Sequence, residues 1–168
     1  IGGLRFYERK EVKDVLAYMR AILNPSDSIS LKRILNVPAR GIGKTSVEKV
    51  EAYCREKGIS LLEGLRDNGQ LRLTAPAAGR KIAEFLSIID GLDDVFQQGN
   101  PLDLLTEVIG RSGYGEMLKA DDTRESKGRM ENLNELFSAM EQSVENGEGS
   151  LQEFLDSASL VADLDNLD

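Results

Sequence analysis

The stretch ERKEVKDVLAYMRAILN (8–24) constrains this chain more than any other. Its apolar residues Val12, Val15, Leu16, Met19, Ile22 and Leu23 recur at spacings of three and four, so a helix here buries one continuous stripe. That helix is expected to stop before Asn24-Pro25, because proline disfavours helical geometry in the residue preceding it. Ser26-Asp27-Ser28 then offers caps for a short helix through LKRILNV (31–37).

The same period returns along the chain. TSVEKVEAYCREKG (45–58) puts Val47, Val50 and Cys54 on one face and closes on Gly58, a helix C-terminal signal. A long helix is expected from about Pro76 to Gln98, with Ile82, Phe85, Leu86, Ile89, Leu92 and Phe96 inward. Asn100-Pro101 opens LDLLTEVIGRSG, RESKGRMENLNELFSAMEQSVENG (124–147) reads as a long amphipathic helix, and SLQEFLDSASLVADLD (150–165) as the last one. The only strand-like run is at the extreme N-terminus, too short for a sheet, and Gly147-Glu148-Gly149 reads as a loop. The expected fold is all-α: one compact multi-helix domain over 1–168.

Composition narrows the chemistry. Histidine is absent, which removes Ser-His triads, His-metal sites and His general bases together. The single cysteine, Cys54, excludes an internal disulfide, fits a reducing cytosolic setting and reads as a small buried apolar residue. No carboxylate cluster has metal-ligand spacing, which disfavours a free-standing nuclease or ligase. No apolar run approaches the roughly 20 residues that span a bilayer, so no membrane partner is expected. The chain opens on Ile1-Gly2-Gly3 without a leader pattern or initiator Met, which reads as a piece of a longer protein. The net charge of −8 is unevenly spread: residues 1–50 carry ten Lys/Arg against five Asp/Glu, whereas residues 131–168 carry ten acidic side chains and no basic one. A polyanion-binding face backed by a repelling one would have this asymmetry, and so would an ordinary solvated helical surface.

One motif carries chemistry. Gly41-Ile42-Gly43-Lys44-Thr45-Ser46 resembles the end of a nucleotide-binding loop, G-x-x-x-x-G-K-[ST]. The first glycine of that pattern would fall on Pro38, which lacks an N–H and cannot adopt positive φ. The segment before it has helical spacing, and the nearest run ending in an acid, SIID at Asp90, sits mid-helix, so no cofactor is expected here. A hairpin between two helices fits better. Gly41 and Gly43 let the backbone approach a phosphate, Ile42 tucks between the helices, and the amides from Gly43 to Thr45 form a helix N-terminus facing the anion. Arg40 and Lys44 add charge, and Thr45 caps the helix or donates to phosphate. Arg40, Gly41, Ile42, Gly43, Lys44 and Thr45 are therefore the candidate DNA-contact residues. A ligand-free structural hairpin has the same short pattern, and the motif alone leaves both open.

Longer stretches carry a resemblance. Gly2-Gly3, Phe6-Tyr7-Glu8-Arg9, Glu11-Val12-Lys13-Asp14, Asn24-Pro25 and Arg40-Gly41-Ile42-Gly43 resemble, in order and spacing, a segment of UvrD/PcrA/Rep-type superfamily 1 DNA helicases. RMENLNEL (129–136) and FLDSASLVADLD (154–165) are similar to later stretches of the same segment. The resemblance implies the helical 2B subdomain, inserted into the second motor domain, with residues 1–7 at the junction. It also implies a G-I-G turn contacting duplex DNA, swivelling between open and closed states, and a cytoplasmic, nucleoid-associated setting. On the same resemblance the phosphate loop, the metal-binding acids and the arginine finger lie outside this chain. ATP and magnesium then belong to the parent enzyme, and the piece alone is no ATPase. A protein-interaction or autoinhibitory module, docking a partner or the motor through the acidic 131–168 face, is the alternative.

Overall fold

The computed structural model describes residues 5–67, 69, 71, 76–145 and 150–167, and every regular element among them is helical. A 3-10 turn at Phe6–Glu8 leads into α1 (Lys10–Leu23) and α2 (Ser28–Ile34). There follow α3 (Lys44–Lys57), α4 (Leu61–Arg66), α5 (Gly79–Gln98), α6 (Pro101–Arg111), α7 (Tyr114–Asp121), α8 (Arg124–Glu145) and α9 (Leu151–Asp165). The all-α expectation holds. The strand-like run falls outside the described residues over 1–4 and forms the 3-10 turn beyond them, and the Gly147–Gly149 loop also lies outside.

Local chemistry sets the boundaries. α1 stops at Leu23 with Asn24 extended (φ −129°, ψ 95°) ahead of Pro25. The Asp27 carboxylate caps α2 by accepting the Ser30 N–H at 3.0 Å, and Gly58 ends α3 in the left-handed region (φ +66°). Asn100 and Asp103 form a reciprocal capping box at α6, with Pro101 in the first turn. α5 begins at Gly79 rather than Pro76, because residues 76–78 form a turn. Two short helices, α4 and α7, join those expected. α4 starts with a Ser60/Glu63 capping box and packs so closely on α3 that a Cβ at Gly64 would sit 2.2 Å from Cys54 Sγ.

α1 is the hub, packed against α2, α5, α6, α8 and α9. Its expected stripe is buried except for the half-exposed Leu23, but burial reaches well beyond a stripe and takes in Tyr18, Ala17, Ala21, Glu11 and Asp14. The two carboxylates are tolerated because the fold supplies partners. Asp14 accepts from Lys10 Nζ at 2.8 Å, Arg33 Nε at 2.9 Å and the Tyr114 hydroxyl at 2.7 Å. Glu11 accepts from Asn132 Nδ2 at 2.6 Å, and Asn132 Oδ1 accepts from Arg9 Nη1 at 2.7 Å. Burial first, and the hydrogen bond to Asp14 second, hold the Tyr114 phenol far above its ordinary pKa, so it stays a donor. The two ends of the described chain meet: the Arg5 N–H donates to Asp165 at 2.7 Å, and the Asn166 amide reaches Glu8 at 3.4 Å.

Candidate nucleic-acid interface

The segment joining α2 to α3 is folded back on itself by one side chain. Asn36 Oδ1 accepts the backbone N–H of Arg40 at 2.6 Å and of Ile42 at 3.2 Å. Such Asx-type bonding stands in for secondary structure where none is possible. Gly41 takes φ +78°, a conformation that an L side chain rarely adopts. Ile42 then drives inward to 1% exposure and anchors the turn in the core.

Gly43 differs from Gly41. Its backbone is ordinary (φ −75°, ψ 159°), and a Cβ built there would meet nothing within 4 Å. Glycine at 43 is therefore dispensable for backbone geometry, and its effect is to leave open space in front of α3. No side chain caps α3; the Val47 N–H is the first to find a helical acceptor, Gly43 O at 3.1 Å. The amides of Lys44, Thr45 and Ser46 have no protein acceptor among the described residues. They carry the positive end of the α3 dipole at the surface. Lys44 is 91% exposed and only loosely paired with Glu48 at 3.9 Å, and Thr45 is exposed beside it.

Arg40 points the other way. Its Nη1 donates to the carbonyls of Ile34 (2.9 Å), Val37 (3.1 Å) and Leu35 (3.4 Å); its Nη2 donates to the Ser112 carbonyl at 3.1 Å and to the Tyr18 hydroxyl. The guanidinium carbon lies 5.2 Å from the Phe85 ring centre and 5.8 Å from that of Tyr18. Both terminal nitrogens of the cation expected to face phosphate are thus turned into the fold. The cation that does lie across the turn is one that the sequence reading missed. Lys81, in the first turn of α5, runs over Gly41 with Cε and Nζ each 3.4 Å from where a Cβ would stand. Lys81 is exposed and has no carboxylate partner among the described residues. Only the helical period places position 81 in the sequence, and nothing local ties it to position 41.

Several of the N-terminal cations are engaged within the fold, since Lys10 and Arg33 share Asp14, Lys13 faces Glu8 at 3.7 Å and Lys32 faces Glu51 at 3.2 Å. Of these acids only Glu51 lies outside residues 1–50, so most of the segment's excess of positive charge remains. The turn does not suit a nucleotide either. The Arg40 and Ile42 amides that a phosphate cradle would need are engaged by Asn36, and α2 stands where a strand would be required. Among the described residues no group of His, Cys, Asp and Glu could hold a metal ion, and no helix is long and apolar enough to cross a membrane.

Comparison with known proteins gives this geometry a context. Residues 1–74 match the UvrD-like helicase C-terminal domain family. The whole chain aligns with the ATP-dependent DNA helicase PcrA of Bacillus subtilis (strain 168) at 37% identity over 169 residues. The chain is homologous to PcrA throughout its length. PcrA of Staphylococcus aureus (strain Mu50) is 40% identical over 171 residues, as is PcrA of Staphylococcus epidermidis. In each case the alignment covers 100% of this chain but 23% of the PcrA sequence, so the chain spans about a quarter of the length of these relatives. PcrA homology therefore extends beyond the family match, into α5–α9.

Proposed function

We propose that this chain is the 2B-type accessory subdomain of an ATP-dependent DNA helicase, and that it grips duplex DNA by the phosphate backbone without reading sequence. The observation that carries this reading is the open N-terminus of α3: three outward amides, no capping side chain, an unobstructed Gly43, and Lys44, Thr45 and Lys81 around it. Gly41 and Ile42 shape the turn from behind. ATP and magnesium act in the parent's motor, outside this chain, in the cytoplasm at the nucleoid. The meeting of Arg5 with Asp165 supports an inserted unit, since an insert enters and leaves its host at one place.

A second role is favoured by a separate observation. α9 turns Leu160 and Leu164 outward, with Leu167 just beyond it, in the acidic part of the chain. Uncovered leucines at this spacing suit docking on the motor or a regulatory contact.

The test is a titration of labelled hairpin DNA against the wild-type chain and the Lys44→Ala/Gly43→Val double variant over a range of salt. Binding should weaken with salt, and each lost phosphate contact should lower the log–log slope by about 0.9. Equal binding by both proteins would remove the turn from DNA recognition. Calorimetry with magnesium and ATP should give no signal, and a clear one would overturn the exclusion of a nucleotide loop.

A further inference from the structure

We infer that Arg40 is a positioning residue of the DNA grip and not one of its phosphate contacts; the inference rests on the duplex-binding reading above. α2 ends at Ile34, whose carbonyl accepts the Val37 N–H at 3.0 Å, and beyond it no further helical turn is available to the last carbonyls. Arg40 supplies donors to two of them, Ile34 and Leu35, and to Val37 within the turn itself. Its other terminal nitrogen reaches two distant elements: the Tyr18 hydroxyl on α1 and the Ser112 carbonyl at the α6–α7 corner, 72 positions along the chain. One planar fork thus joins α2, the turn, α1 and the α6–α7 corner while lying over the Phe85 ring of α5.

The Tyr18 hydroxyl, which accepts from Arg40, itself donates to Val37 O at 2.5 Å. Ser112 Oγ accepts the Tyr114 N–H at 3.1 Å, and the Tyr114 hydroxyl donates to Asp14 on α1. The turn is therefore braced against the same buried apparatus that holds the hub helix. For a phosphate to take both terminal nitrogens of this guanidinium, five acceptors would have to be abandoned. Held as it is, the fork fixes the backbone from Val37 to Gly43 before DNA arrives, so little ordering is left to oppose binding. Lysine, with one nitrogen and no plane, cannot span these acceptors.

Arg40→Lys and Arg40→Ala in the 168-residue chain test this with two readouts. Each variant should weaken duplex binding by at least about tenfold, the weight of a lost charge-assisted hydrogen bond, while the salt slope stays at the wild-type value. Amide exchange at Ile42 should quicken in both, with α1 amides unchanged. Were Arg40 a phosphate contact, Arg40→Lys would bind like wild type and Arg40→Ala would lose about 0.9 of the slope, which would overturn the inference. If Arg40→Ala does not fold, Arg40→Lys decides by exchange and affinity together. If the wild type binds no duplex at any salt, the duplex reading fails by itself. Exchange at Ile42 in Arg40→Lys then decides the brace: faster exchange upholds it and an unchanged rate overturns it.

Discussion

α1 and α3 are both 14 residues long and both thick with charge, yet the fold uses them in opposite ways. α1 buries ten residues, Glu11 and Asp14 among them, and its charges are answered by side chains from α2, α7 and α8. α3 buries two, Val50 and Cys54, and holds its first turn and Lys44 out to solvent. A charged residue inside the hub serves stability, because leaving its partner unpaired there is costly. The same residue type on α3 contributes little to stability and remains available to a ligand.

Substitutions break or sharpen this contrast. The largest effect is expected at Asp14→Ala, which strips Arg33, Lys10 and the Tyr114 hydroxyl of a common acceptor; the loss should be about 3 kcal/mol in urea unfolding. A loss below about 1 kcal/mol would make the hub no different from the surface.

Next comes Tyr114→Phe, which deletes one donor to a buried carboxylate and should cost roughly 1.5–3 kcal/mol. It also has a pH signature. The phenol pKa is raised in the folded state, so its contribution is complete below the unfolded value of 10.0 and is lost as pH rises above it. Wild-type stability should fall progressively as pH rises above about 10, and less steeply in Tyr114→Phe. Equal slopes would mean that this hydroxyl is no part of the alkaline limit.

The two glycines of the turn should separate. Gly41→Ala forces an L side chain to φ +78° and should cost about 1 kcal/mol. Gly43→Ala should change stability by less than about 0.5 kcal/mol, since its backbone is ordinary and nothing lies in the way. It should nevertheless weaken duplex binding, because the methyl stands where a phosphate would approach. The smallest effect on folding belongs to Lys44→Ala, within about 0.5 kcal/mol, since its pair with Glu48 is long and exposed. A larger loss would place α3's first turn among the structural parts of the molecule.

The legible parts of this fold were those that local chemistry determines. The 3/4 stripe of α1, the stop at Asn24-Pro25, the Gly58 terminus and the Asn100-Pro101 start are each settled within a few residues of chain. α4 and α7, six and eight residues long, are too short for a periodic pattern to declare itself, and the seven-residue α2 was legible only through the Pro25 turn and the cap residues before it. Glu11 and Asp14 look like surface residues in the sequence because their partners, Asn132 and Tyr114, lie 121 and 100 positions away. Arg40 and Lys81 illustrate the same blindness at the candidate site. A sequence records that a cation is present; only packing decides that one faces the Ser112 carbonyl while the other lies over Gly41.

The contact between Arg5 and Asp165 has a consequence for the order of the chain. With the two ends of its described part in contact, the helical body is nearly a closed ring, and a closed ring can be cut elsewhere. A short linker from Asn166 to Arg5, with new ends opened at the exposed Gly99–Asn100 junction between α5 and α6, would permute the sequence circularly and leave each helix on its present neighbours. The architecture would then belong to the packing around α1 and not to the order in which its helices leave the ribosome.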